Sequence, residues 1–302
     1  MPKVSVNICC YNSERFIEQT VKSVLAQTYG DLEIVIVDDG STDRTGEIIK
    51  SIADDRIKYH HQENHGLSYA RNRAIDLSRG EYIAFLDHDD TWLPEKLAKQ
   101  VALFQKDSAL GLVYSDCYAH NLITGQKVRY SEMTTLYRGR VLEQLFHVDF
   151  IPVLTAVIKR EVIGKVGKFD LNYKIAEDYE FFVRVADQYP VDFVPEPLAV
   201  YHLHEDNSVK KQRRNCFLEE KALLTAHRGK FSMISEEAFQ RRFMLLNRSL
   251  ALLALAVGDR REARKYLRGD VLYLMATYLP SWLLRLIMEY KAKRRGAKNV
   301  LA

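Results

Sequence analysis

The chain has 302 residues with 44 Lys and Arg against 40 Asp and Glu, a formal net charge of +4, and is long enough for one large domain or one domain with an appendage. The charge is unevenly spread: residues 1–208 carry 23 basic and 32 acidic side chains, whereas residues 209–302 carry 21 and 8. Cys9, Cys10, Cys117 and Cys216 show neither CxxC spacing nor the density of a secreted framework, which speaks against a zinc site or disulfide scaffold and for a reducing cytoplasm.

Residues 1–6 run straight into strand-like alternation, so no signal peptide is read there. An apolar, β-branched run over 4–10 ends at Tyr11-Asn12-Ser13, and Ser13 is the expected N-cap of a helix carrying Phe16, Ile17, Val21, Val24 and Leu25. Residues 32–37 repeat the strand, and Asp38-Asp39-Gly40-Ser41-Thr42-Asp43 turns the chain into a helix around Ile48, Ile49 and Ile52. A third strand over 57–60 and a helix over 67–78 lead to the run Ile83-Ala84-Phe85-Leu86, which ends in Asp87-His88-Asp89-Asp90. Strands alternating with helices predict a parallel sheet with right-handed crossovers and both faces covered.

Farther on, the pattern predicts a helix over 94–106, strands over 111–116 and 153–158, and a turn over 164–169 after a short helix. Glu177-Asp178 opens a helix whose inward face is Phe181, Phe182, Val185 and Ala186; acids there suit the helix dipole on structural grounds alone. Residues 191–197 are extended, and 198–204 alternate and carry His202 and His204. From about residue 214 the patterns are helical, over 217–227, 236–257 and 259–267, with a helix-turn-helix rhythm around Gly258-Asp259. The expected division is a domain over 1–208 and a basic helical extension over 209–302.

Residues 271–288 are apolar except for Arg285 and small polar groups, and a basic cluster follows at 291–295. A bilayer span needs about 20 residues, and Pro280-Ser281 interrupts this one. Two readings stand: short interfacial helices that place the chain on an anionic membrane, peripheral to its inner face, or packing on the preceding helices or on a second copy in a homo-oligomer. Nucleic acid is disfavoured, because the basic segment has little aromatic interleaving.

Three strands end in polar chemistry, at Tyr11-Asn12, Asp38-Asp39 and Asp87-His88-Asp89-Asp90, and ligands of open parallel sheets bind outside the carboxyl ends of the strands. Carboxylates crowded as in the tetrad repel one another unless something positive sits among them, and Mg²⁺ or Mn²⁺ is the usual remedy. Asp90-Thr91 before Pro94-Glu95 also reads as a helix start. A cation held by one or two carboxylates keeps positions for phosphate oxygens, so a nucleotide diphosphate is the natural ligand. Asp38 or Asp39 would accept hydrogen bonds from base or ribose, Tyr11 offers a flat surface, and Arg71 would neutralise phosphate. Neither GxGxxG nor a P-loop is present.

Val4-Ser5-Val6 with Cys10-Tyr11-Asn12, Val35 through Asp43, Gly66 with Ala70-Arg71-Asn72, Phe85 through Asp90, and Glu177-Asp178 resemble, in order, the motifs of inverting family 2 glycosyltransferases of the GT-A fold. The resemblance covers roughly residues 3–208. It implies an α/β, mainly parallel mixed sheet flanked by helices, with the C-terminal helices as an extension. It further implies a nucleotide-diphosphate sugar as donor, Mn²⁺ or Mg²⁺ as cofactor, and a saccharide or lipid-linked hydroxyl as acceptor in cell-surface polysaccharide or glycoconjugate synthesis. Tyr11 and Asp39 would contact the base, Asp87 the ribose or metal, and Asp89 the metal. Asp178 would be the general base, and His204, with His202 as the alternative, would complete the metal site; Asp90 would start the next helix. The competing readings are a metal-dependent nucleotidyl or phosphoryl transferase and a non-catalytic membrane-docking scaffold.

Overall fold

The computed structural model describes residues 2–207, 212–230, 234–267 and 270. Its contacts divide the chain into two compact units, 1–204 and 205–302. In the first unit β1 (Val4–Cys10), α1 (Ile17–Leu25), β2 (Leu32–Asp38), α2 (Thr45–Ser51), β3 (Ile57–His61), α3 (Leu67–Leu77) and β4 (Tyr82–Asp87) follow one another as strand and crossover. Every residue of β1 and β2 is buried, the polar Ser5, Asn7 and Glu33 included, which is the reason these strands read as largely apolar runs. Alternate residues of β1 separate the two faces: Val4, Val6, Ile8 and Cys10 join α1 and α2 in the main core, whereas Cys9 meets Ala70 and Ala74 of α3.

Beyond β4 come β5 (Thr91–Trp92), α4 (Lys96–Lys106), β6 (Leu112–Asn121), β7 (Lys127–Arg129), α5 (Leu142–His147), β8 (Val157–Lys159), α6 (Arg160–Val166), α7 (Glu177–Gln188) and β9 (Val191–Leu203). The sheet order is β3-β2-β1-β4-β8-β6-β9-β5, with β7 paired to β6. Its first four strands are parallel, β8 runs antiparallel to both neighbours, and β6 and β9 are parallel. The mixed, mainly parallel sheet agrees with the expected fold class.

Three local expectations change. Ser13 does not cap α1, which starts at Ile17 without a side-chain cap; instead the Ser13 amide donates to Thr45 Oγ1 at 2.7 Å and pins the strand end to α2. The apolar run over 153–158 is a 3₁₀ turn, Val153–Thr155, followed by β8, because Pro152 precedes it and its carbonyl takes both the amide and the hydroxyl of Thr155; apolarity alone does not separate a buried turn from a strand. The segments 191–197 and 198–204 merge into one 13-residue strand, irregular where Pro197 faces Asp116, since proline donates nothing to the ladder.

The second unit contains α8 (Arg213–His227), α9 (Glu236–Ala256) and α10 (Arg260–Tyr266). Ser235 caps α9 by accepting from the Ala238 amide, and Asp259 caps α10 by accepting from the Glu262 amide. Gly258, at φ 84°, makes the left-handed turn between them that the sequence rhythm predicts. Among the described residues no helix is long and apolar enough to cross a membrane. The apolar and basic segment over 271–302 lies outside the described residues.

One core residue is out of keeping with its surroundings. Lys96 is fully buried, with Nζ 3.9 Å from the centre of the Trp92 ring and 2.8 Å from Gln100 Oε1. Burial pushes its pKa well below the usual 10.5. Between that lowered value and 10.5 the unfolded chain holds a proton that the folded chain lacks, so stability rises with pH across the window, by at most about 1.4 kcal/mol per pH unit. Chemical denaturation of wild type should show this alkaline rise and Lys96→Met should lack it; equal slopes in the two proteins would refute the burial of an uncharged lysine.

Candidate active site

The register of the parallel strands brings the polar ends level. Cys10 pairs with Asp38 on one side of β1, and Cys9 with Asp87 on the other. The chain leaves β1 at Tyr11, which is 47% exposed, and Asn12 clasps the neighbouring loop by accepting from the Thr42 amide at 2.8 Å and donating its own amide to Ser41 Oγ at 2.9 Å.

The paired acids of β2 have separate partners. Asp39 accepts from Gln62 Nε2 at 2.7 Å and from the amides of His65 and Gly66 at 3.0 and 2.7 Å, so it shapes the 62–66 loop at the crevice edge. Gly40, at φ +85°, permits this approach, because a Cβ there would meet the Asn64 amide at 2.9 Å. Asp38 accepts from the Ser41 amide, Tyr59 Oη and His61 Nδ1 at 2.9, 2.7 and 3.2 Å. Burial pushes the Asp38 carboxyl up, but these hydrogen bonds outweigh it and hold the pKa below the ordinary value. With its side chain buried and three donors engaged, Asp38 braces β2 to β3 instead of facing a base.

Arg71 comes from α3 and is buried. Nη2 donates to Asp87 Oδ1 at 2.8 Å and Nη1 to Glu177 Oε1. The guanidinium expected to neutralise phosphate is thus engaged by two carboxylates of the chain itself. Asp87 Oδ2 takes a hydrogen bond from no described residue.

Asp89 and His204 come together, with Oδ2 and Nε2 2.9 Å apart. The imidazole stacks on Phe16 with ring centres 4.7 Å apart and planes at 28°. His202 lies two residues earlier and points its Nδ1 at the Asp89 carbonyl, 2.8 Å away, so it fixes backbone. Burial acts to raise the Asp89 pKa, but the His204 hydrogen bond and the neighbouring histidines bring it below the ordinary value.

Asp90 does not begin a helix. It closes a turn, with its amide on the Asp87 carbonyl at 3.2 Å, and α4 starts only at Lys96. Its Oδ1 accepts from the His202 amide at 2.8 Å, while Oδ2 is buried without a partner. Burial first, then the charges of Asp89 and Asp87, push its pKa well above the carboxylate range.

Glu177 and Asp178 occupy the first turn of α7, which has no side-chain cap. Asp178 is partly buried, and Oδ1 accepts from the Tyr179 amide at 2.8 Å, whereas Oδ2 takes a hydrogen bond from no described residue. Burial raises the Asp178 pKa against the opposing charge of Arg71. Glu177 is buried more completely, Oε2 lacks a partner, and burial lifts its carboxyl to about 7. The Glu177 bridge and the Phe16 stack escaped sequence reading: Glu177 shares the motif with Asp178 but reads as a first-turn acid, and Phe16 reads as an ordinary helix face.

A divalent cation fits this edge in part. The Asp89 carboxylate and the His204 nitrogen converge at a spacing a shared proton fills, so a cation there would replace that proton. Among the described residues no three His, Cys, Asp or Glu side chains stand together as a finished ligand set.

The sequence model described as Glycosyl transferase family 2 matches residues 5–167. An uncharacterised glycosyltransferase of Nostoc sp. is 34% identical over 218 residues, covering 68% of this chain and 66% of that protein; the chain thus spans about two thirds of that relative's length. Among solved structures, S. aureus TarS 1–349 in complex with UDP-GlcNAc aligns over 97% of this chain and 92% of its own with a TM-score of 0.63 at 16% identity. Mannosyltransferase PcManGT from Pyrobaculum calidifontis in complex with GDP-Man and Mn²⁺ aligns over 96% and 80% with a TM-score of 0.62 at 20% identity. At such identities the structural likeness speaks to the fold alone. Glu177, Asp178 and His204 lie past the matched sequence, but the match takes in β1, β2 and β4 with all their acid ends, and the chain belongs to glycosyltransferase family 2 and has its GT-A fold.

Proposed function

We propose that the protein moves a sugar from a nucleotide-diphosphate sugar to an acceptor hydroxyl with inversion at the anomeric carbon. The observation that carries this reading is Asp178, a carboxylate with an uncommitted oxygen at a helix start, linked through Glu177 and Arg71 to the strand end that bears Asp87 and Asp89. A base on the acceptor side and acids on the donor side are the two halves such a transfer needs. The sugar-nucleotide complexes of TarS and PcManGT support the donor class, and the Mn²⁺ of PcManGT supports a divalent cofactor.

In this reading the open Tyr11 ring and the loop held by Asp39 receive the base, and Asp87 Oδ2 faces the ribose or the cation. Asp89 and His204 would hold Mn²⁺ or Mg²⁺, which when bound supplies neutralising charge for the leaving diphosphate. Asp178 takes the proton of the acceptor hydroxyl as that oxygen attacks the anomeric carbon from the face opposite the diphosphate. The new C–O bond forms as the bond to the diphosphate oxygen breaks, and the proton remains on Asp178. A saccharide or lipid-linked acceptor in polysaccharide or glycoconjugate synthesis belongs to the same proposal, in keeping with the basic C-terminal third.

Calorimetry with uridine, guanosine and thymidine diphosphates in Mn²⁺ should find at least one ligand, and Asp89→Ala should weaken it by about tenfold or more. Binding of none of the three, together with an indifferent Asp89→Ala, would sink the proposal. Turnover should release nucleoside diphosphate; pyrophosphate would instead mean nucleotidyl transfer.

Asp178→Asn should retain donor binding and lose about 10²- to 10⁴-fold in kcat. The base works ionised, so activity is present above its pKa and lost as pH falls through it. Since burial raises that pKa from 3.8, the acid limb of kcat should lie above 3.8 and vanish in Asp178→Asn. Unchanged turnover in that variant would remove Asp178 from the role.

A further inference from the structure

Arg71 spans two elements that carry opposite halves of the proposed site. Its side chain is 4% exposed, with one arm on Asp87 at the end of β4 and the other on Glu177 at the start of α7. The guanidinium lies over the Phe169 ring at 5.5 Å, and Phe169 packs edge-on against Phe85 of β4 at 5.3 Å and against Phe181 of α7 at 4.6 Å. The flanking residues of α3 repeat the attachment. Ser68 Oγ donates to the Tyr173 carbonyl at 2.8 Å, and the Asn72 amide side chain exchanges two hydrogen bonds of 2.9 Å with the backbone of Phe169. Ser68, Arg71 and Asn72 are spaced as i, i+3 and i+4, one face of a helix, so one stripe of α3 docks the whole segment leading into α7.

The start of α7 has no side-chain cap of its own, and Asp178 follows Glu177 directly. The Tyr179 amide holds Asp178 Oδ1 within the helix, and the charged contact of Arg71 on Glu177 ties the start of that helix to the end of β4. We propose that Arg71 is a positioning residue: its two-armed bridge from Asp87 to Glu177 fixes the distance between the donor-holding end of β4 and the base Asp178. This rests on the glycosyl-transfer reading of the same site. A planar guanidinium can hold two carboxylates at a set separation, whereas the single ammonium of lysine keeps the charge but not the fork. A displacement of about 1 Å at a reacting group costs on the order of a hundredfold in rate.

The test uses the full chain with its nucleotide-sugar donor and Mn²⁺, measuring donor Kd by calorimetry, kcat and KM by diphosphate release, and Tm by circular dichroism. Arg71→Lys, which keeps the buried charge, and Glu177→Gln, which keeps the side-chain shape, should each lower kcat by about a hundredfold while donor Kd stays within about threefold. Because both break the same bridge, the double variant should lose no more than about the larger single loss, the non-additivity of a shared contact. Should Arg71→Lys fail to fold, Glu177→Gln alone decides: a folded protein with kcat within about threefold of wild type overturns the proposal. A fall in donor affinity that accounts for the whole loss in Arg71→Lys also overturns it, since Arg71 would then act on the diphosphate. Absence of donor binding or turnover in wild type would instead strike the glycosyl-transfer reading, so the two failures are distinguishable.

Discussion

A buried guanidinium is tolerable only where carboxylates meet it, and carboxylates at a crowded strand end are tolerable only where something positive meets them. Arg71 resolves both demands at once. Asp87 and Glu177 raise its pKa against the opposing effect of burial, so it stays charged, and its charge in turn opposes the upward push of burial on Glu177 and Asp178. Removing the cation would leave Asp87 of β4 and Glu177 of α7 without their shared positive partner. The topology supplies the reason this residue, on the crossover between β3 and β4, can reach both: α3 packs on the β1–β2 face through Ala70 and Ala74, whose small side chains let its backbone lie close to the sheet.

The acids of the site are many, and their environments set them apart. Asp38 is held ionised by three donors inside the fold, while Asp90 is pushed toward its neutral form by burial and like charge. Asp89 is kept anionic by histidine and Asp178 is raised by burial. Burial and hydrogen bonding, more than sequence neighbourhood, thus decide which acid serves structure and which faces the crevice.

The alternation of strands and helices over 4–87 was legible because β1, β2 and all but the last residue of β4 are buried, with only the edge strand β3 partly exposed, and the three polar strand ends followed from that pattern. The motifs of the family carried the resemblance, and Tyr11, Asp39, Asp87 and Asp89 lie at or just past the ends of β1, β2 and β4. What was not legible were the partners. Asp38 and Asp39 are adjacent and alike in sequence, yet one meets Tyr59 and His61 and the other the 62–66 amides, because successive residues leave a strand in opposite directions. Arg71 read as a free cation, since its partner Glu177 is 106 positions away. An apolar strand was read near β8, but not its antiparallel direction, because three residues are too short to show how a strand pairs.

His202 and His204 show how the remote strand finishes the site. His202 lies in β9 and His204 just past its end, and both reach Asp89, one at its carbonyl and the other at its carboxylate. The His202 amide also holds Asp90, and Thr20 Oγ1 sits 2.8 Å from the His88 carbonyl and 2.9 Å from that of Asp90. The turn from Asp87 to Asp90 is thereby fixed by α1 and β9, which belong to regions of the chain far apart in sequence. The backbone of Asp89 is thus held by β9 and its side chain by His204 just beyond that strand. Phe16 contributes to the same arrangement by stacking on the imidazole of His204, so the apolar start of α1 serves the polar edge of the sheet as much as its core.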